Sequence, residues 1–341
     1  RLYCSTSNEV IQMKDILKKS DKMFLLALAG FGFLCVMRYY NGNMMQHLWA
    51  LSILGNRRII QGTTAVFFLI LIGVAGQALR KVSKENRSGI YYMATLLAVF
   101  LMPMFICDSY MGSPDLYAWI IILLCIVALF DGRCDGIVLP GILLAAYICP
   151  MIVFSGGAIL FIAMLAKGLR EDNKRNVVQA AGMVVMALVA FVLAKGTYGF
   201  AADVQGRISG KRFLVIVLLF LPYIYAILKF FVSLIKEQTD GKSRLAYFLC
   251  GLGATPGFLL WAYLGDYCRA VIYAFAYYLL LLLILYCQDV DFQTSWNTFR
   301  LWIKEKVVLE PVVVIYPLII LTFWMISNDF IDAESIIEFT R

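Results

Sequence analysis

From about residue 23 almost to its end, the chain alternates long apolar runs with short charged punctuation. A bilayer selects runs of this kind, because about 20 consecutive apolar residues of helix cross its hydrocarbon core. The pattern predicts spans at about 23–39, 59–79, 89–107, 117–130, 176–195, 213–235, 244–263, 267–287 and 307–326. Residues 41–58 are too mixed for a span and suit an interfacial or re-entrant helix. Between Gly136 and Ala166 the chain is apolar throughout, long for one crossing and short for two. Pro150 and the Ser155-Gly156-Gly157 break divide it into two short spans meeting at a tight turn. The expectation is an all-α, polytopic integral membrane bundle of about eleven spans over 23–326. A cytoplasmic segment, 1–22, precedes it and an acidic extracytoplasmic tail, 327–341, follows.

Composition agrees with that class. Hydrophobic residues make up 62% of the chain and charged ones 15%, with a mean hydropathy of +0.81. Soluble domains have about 45–50% apolar and about 25% charged residues. With the N-terminus in the cytoplasm and alternating spans, the inside segments are 1–22, 80–88, 131–136, 167–175, 236–244 and 288–306. They hold twenty of the thirty Lys and Arg residues, against eight outside, as the positive-inside rule requires. Treating 136–166 as one span would invert every later loop. The net charge of +8 therefore reports orientation first. Basic residues scattered over short loops, with no basic domain, exclude nucleic acid as a partner.

The cations that run against this bias are the informative ones. Arg57 and Arg58, then Lys195, Arg207, Lys211 and Arg212, then Arg269 fall on the outer side, in three separated stretches. A basic cluster there suggests an anionic partner, with phosphate the natural candidate for arginine's planar fork. Asp108 and Asp115 lie in the same layer and are candidate general bases, Asp108 directly after a span. Otherwise they belong to a solvated loop turning at Met111-Gly-Ser-Pro114. Asp266 and Arg269 are one helical turn apart at the mouth of an aromatic-rich helix. That spacing suits either a site or a helix-anchoring ion pair.

His47 is the single histidine, so an acyltransferase reading would rest on it alone. The nine cysteines form no metal-ligand spacing, most lying in or beside apolar runs where they act as small hydrophobes. Trp49, Trp119, Trp261 and Trp324 suit a boundary belt, and Tyr273, Tyr277 and Tyr278 suit packing. No Walker loop, GxSxG or metal set appears.

The stretch Asp266-Tyr-Cys-Arg269-Ala270, after Thr255-Pro-Gly-Phe258, resembles the D-[WY]-G-R-W element of multi-spanning proteins from bacterial surface-polysaccharide clusters, the Wzy-like and EpsG-like polymerases. Cys268 and Ala270 stand where that element has Gly and a second aromatic. The layout around Leu101-Met-Pro-Met-Phe-Ile-Cys-Asp108 is similar too. The resemblance implies a GT-C-like glycosyltransferase or polymerase of the bacterial inner membrane. It would join undecaprenyl-pyrophosphate-linked repeat units of O-antigen, capsule or exopolysaccharide at the outer leaflet, with no cofactor. Arg269, Arg207 and Arg212, with Arg57 or Arg58, would hold the lipid pyrophosphate, and Asp266 or Asp108 would activate the acceptor hydroxyl. A flippase or transporter of a lipid-linked or anionic substrate, and an O-acyltransferase using His47, are the alternatives.

Overall fold

The structure, a computed structural model, describes residues 57–106, 115–131, 135–149, 152, 155–197, 210–263, 267–306 and 315–320, with positions 22, 26, 29 and 30 before them. These residues are helical, with no strand among them. In chain order the helices are α1 (Arg57–Lys81), α2 (Arg87–Ile106), α3 (Asp115–Asp131), α4 (Val138–Ile148), α5 (Gly156–Arg170), α6 (Lys174–Thr197), α7 (Gly210–Glu237), α8 (Gly241–Gly251), α9 (Thr255–Tyr263), α10 (Tyr267–Gln288) and α11 (Val290–Lys306). Two are long and apolar enough to cross a membrane, α1 over Arg58–Lys81 and α7 over Leu218–Glu237. The pair α10 and α11, bent by 118°, makes a third candidate if taken as one span.

α10 is the pole of the bundle. Every residue from Ile272 to Tyr286 is buried, so the helix has no outward face. An apolar helix without a polar side must be enclosed; α1, α2, α3, α5, α9 and α11 all pack on it. The helices alternate in direction, with α8 and α9 forming one leg. Asp289, after the last residue of α10, meets Arg170 at the end of α5, and Gln288 meets Leu129 near the end of α3. Glu237 at the end of α7 accepts from Ser295 of α11, and Asn86 before α2 pairs with Gln293. These contacts gather the segments 80–88, 167–175, 236–244 and 288–306 at one end.

The division of 136–166 has a local cause and a distant one. Cys149 ends α4 in an extended conformation (φ −141°, ψ 93°), as suits a residue followed by proline. α5 then begins at Gly156, where a Cβ would lie 2.7 Å from the Tyr277 ring. Ser155-Gly156-Gly157 is thus a packing element against α10. At the other end of α5, Asp172 takes a positive φ of 53° in the turn to α6, a conformation Asp tolerates.

Two expectations changed. Residues 244–263 are not one helix: α8 stops at Gly251 and α9 starts at Thr255. A Cβ on Gly253 would come within 2.7 Å of Leu281 Cδ2 and 3.1 Å of the Cys250 carbonyl, so the turn presses directly onto α10. Pro256 follows in the first turn of α9, where its missing N–H costs nothing. Residues 288–306, expected as a loop, include α11. Its Phe292, Trp296 and Phe299 share one face and surround Phe230 of α7 at 5.2, 5.3 and 5.2 Å. Lys229, a cation within the α7 run, places its ammonium 3.5 Å from the centre of the Trp302 ring. Asp240 caps α8 by accepting from the Ser243 N–H at 2.9 Å. Hydrogen bonds from the backbone of Ser243 and then Lys242 hold its carboxyl below the usual carboxylate range.

The close approach at Gly253 is testable. Gly253→Val is expected to cost about 1–3 kcal/mol through overpacking, read as a lower unfolding midpoint in detergent. In a Leu281→Ala background, which carries its own cavity cost, Gly253→Val should cost less than it does in the native chain. A midpoint unmoved by Gly253→Val would show that the turn does not press on α10.

Candidate functional site

The bundle carries a polar cluster at each end. At the α11 end, Asp289 is buried in the joint between α10 and α11 (side chain 1% exposed). It caps α11 by accepting from the Phe292 N–H at 3.1 Å, while its own carbonyl accepts the first helical bond from Gln293 at 3.0 Å. Its carboxylate pairs with Arg170 and accepts from the Tyr247 hydroxyl at 2.6 Å. The Arg170 guanidinium also stacks over the Tyr247 ring at 5.1 Å and reaches Asp291 at 3.8 Å. Beside it, the Asn297 amide donates to Asn86 Oδ1 (2.9 Å) and the Asn86 amide to Gln293 Oε1 (3.1 Å). Gln293 Nε2 donates to the Tyr286 carbonyl at 2.6 Å, and Arg300 donates to Ser88 at 2.7 Å. A buried carboxylate with this many donors is a structural joint, and its chemistry is used up in holding α10, α11, α5 and α8 together.

The opposite end is different in kind. Asp115 opens α3 yet is 1% exposed, against the solvated loop that its sequence context suggested. The Tyr273 hydroxyl of α10 donates to its Oδ2 at 2.5 Å and the Cys149 thiol to its Oδ1 at 3.1 Å. The positive end of the α3 dipole also favours a carboxylate here. Trp119, one turn on, is fully buried instead of lying in a boundary belt. It stacks on Tyr277 (3.8 Å, 6°) and meets Tyr273 edge-on at 5.8 Å. Trp119 Nε1 and the Tyr277 hydroxyl are buried without a hydrogen-bond partner among the described residues. Sixteen residues separate Tyr273 from Asp289 along α10, about 24 Å at helical rise, so the two clusters occupy opposite ends.

Of the site residues expected from sequence, Asp108, Arg207 and Asp266 lie outside the described residues, as does His47. Arg57 and Arg58 open α1, Arg212 stands in the first turn of α7 and Arg269 in the first turn of α10. Arg58 is exposed; Arg57, Arg212 and Arg269 are placed by their helices alone. α1, α7 and α10 run in the same direction and finish at the Asp289 end: Cys287 approaches Ala78 of α1 at 4.0 Å, and Glu237 of α7 meets Ser295 at 2.9 Å. All three therefore begin at the Asp115 end. The described residues bring no group of His, Cys, Asp and Glu together in a way that would hold a metal.

The sequence reading missed Asp289 altogether and the burial of Asp115. Asp289 gave a signal, a carboxylate at the end of a long apolar run and four residues before the amide side chain of Gln293. Asp115 was visible as a carboxylate, but its burial depends on Tyr273, 158 residues away. Against known proteins, no family model, no curated protein and no solved structure matches the chain.

The Asp289 joint makes a prediction about stability. Asp289→Ala leaves Arg170 and Tyr247 without their shared acceptor and should cost about 3 kcal/mol. Asp289→Asn, which keeps the cap without the charge, should lose less. Unfolding midpoints of the two variants decide it: equal losses would show that the charge alone carries the joint.

Proposed function

We propose that the protein is a membrane glycosyltransferase of the polymerase type, joining pyrophosphate-linked glycan repeat units at the outer leaflet of a bacterial inner membrane. In this reading the chain crosses the bilayer about eleven times, with its N-terminus cytoplasmic and its C-terminus extracytoplasmic. The Asp289 end then faces the cytoplasm and the Asp115 end the outside.

One observation carries the reading most directly: three separate helices, α1, α7 and α10, begin at the Asp115 end with arginine in their first turns. Helix starts bring unsatisfied N–H groups as well as the positive end of the dipole, and both suit a phosphate. Arginine adds bidentate recognition. A departing pyrophosphate needs charge stabilisation above all, and preorganised donors supply it. The basic residues of the other end serve differently. Arg170 is engaged in the Asp289 joint, and Lys242 pairs with Asp172 at 2.6 Å. Asp266 or Asp108 completes the proposed chemistry by taking the proton of the acceptor hydroxyl as the new glycosidic bond forms. The resemblance of Asp266-Tyr-Cys-Arg269 to the polymerase element supports the same assignment.

Arg269→Ala should abolish long surface polysaccharide in cells while the protein still inserts, leaving single repeat units on their lipid at the outer leaflet. Repeat units retained at the cytoplasmic face would assign the chain to transport instead. Normal polymer would overturn the glycosyl-transfer reading.

A further inference from the structure

Asp115 and Tyr273 are 158 residues apart in sequence and bonded within 2.5 Å in the fold. Each stands at or near the start of its helix, and each follows a proposed site carboxylate at the same distance. Asp108 is seven residues before Asp115, and Asp266 is seven before Tyr273. Arg269 precedes Tyr273 by four residues, one turn of α10. The Cys149 thiol ties the end of α4 to the same carboxylate. Three helix termini thus converge on one buried acceptor.

We propose that Asp115 and Tyr273 form a positioning pair for the pyrophosphate site: their hydrogen bond fixes the start of α10, and with it Arg269, against the start of α3. The inference rests on the glycosyl-transfer reading above. Both residues are 1% exposed, so neither is placed to touch substrate, and the pair acts through what it holds. The geometry is well suited to that task. The Tyr273 ring is already gripped edge-on by Trp119, which stacks on Tyr277, and Tyr277 in turn packs against Gly156 at the start of α5. Ring packing sets where the helix lies, whereas a hydrogen bond to a carboxylate also sets its rotation and its height. Burial inside the protein makes this device effective, because a hydroxyl that leaves its acceptor there finds no water to replace it. Misplacement of a reacting or charge-stabilising group by about 1 Å can cost two orders of magnitude in rate, so fixing this joint matters to turnover more than to folding.

Tyr273→Phe keeps the ring and removes only the hydroxyl. Asp115→Asn keeps an acceptor of the same shape, and Asp115→Leu removes it. The measurement is polymer made per unit of membrane-inserted protein, in cells lacking the native copy, beside Arg269→Ala. Tyr273→Phe and Asp115→Leu should each fall by about tenfold or more, while Asp115→Asn recovers to within about threefold of the native chain. A role limited to folding would lower the amount of inserted protein and leave polymer per protein unchanged, which overturns the proposal. If Asp115→Asn is as inactive as Asp115→Leu, the carboxylate charge itself acts and positioning is overturned. Native-level polymer from Tyr273→Phe beside an inactive Arg269→Ala overturns the pair and leaves the glycosyl-transfer reading standing. Native-level polymer from Arg269→Ala removes that reading and the proposal together.

Discussion

A helix with no exposed side constrains everything placed around it. From Ile272 to Tyr286, α10 offers neighbours an unbroken apolar surface with tyrosines set into it. Burying that surface on all sides requires a ring of helices, and a ring of antiparallel legs puts alternate loops at opposite ends. The short legs follow from the same demand. α5, at fifteen residues, is brought close to α10 by Gly156 beside Tyr277. The α8–α9 turn reaches α10 through Gly253 in the same way. Close packing of this kind leaves little slack, since interiors are filled to crystal-like density.

The tyrosines of α10 divide the labour. Tyr286 turns its hydroxyl to the Asn86 carbonyl and Asn297 at the α11 end, 2.9 and 3.0 Å away. Tyr273 turns its own to Asp115 at the other. Tyr277 and Tyr278 lie between, with hydroxyls that have no partner among the described residues. Polar tips on an apolar pole let one helix anchor both ends of the bundle while its middle packs like a hydrocarbon. The cost of burying these tips without partners is offset at the ends, where each carboxylate collects several donors.

Much of this was legible along the chain, because apolar run length reports helix length directly. The starts of α1, α2, α3, α6 and α7 fell within a few residues of expectation, and Pro150 with Ser155-Gly156-Gly157 marked the α4–α5 break. What was illegible depended on partners far away. Gly251 and Gly253 sit in an apolar stretch that continues past them, and the reason for the break is Leu281 on another helix. α11 looked like a loop because its polar residues face Asn86 and Tyr286, which only the fold brings near. Asp115 looked solvated because nothing next to it in sequence reveals Tyr273. Of the proposed site, the arginines were legible as cations out of place in the charge bias. Their common end follows from helix direction, which pairings such as Ser295 with Glu237 establish.

The two carboxylates show how similar chemistry yields different roles. Asp289 is surrounded by donors that it must satisfy to hold a 118° joint, including a guanidinium whose charge it neutralises. Three donors, the Phe292 N–H, Arg170 and the Tyr247 hydroxyl, occupy both of its oxygens, and a group so committed stabilises without reacting. Asp115 accepts from a phenol and a thiol, both neutral when protonated, and the three residues belong to three different chain segments. Its bonds join the start of α3 to the second turn of α10 and the end of α4, at the end of the bundle where α1 and α7 also begin. The joint at Asp289 thus closes one end of the bundle with a charge pair, whereas at the other end α3, α4 and α10 meet at a carboxylate held by neutral donors.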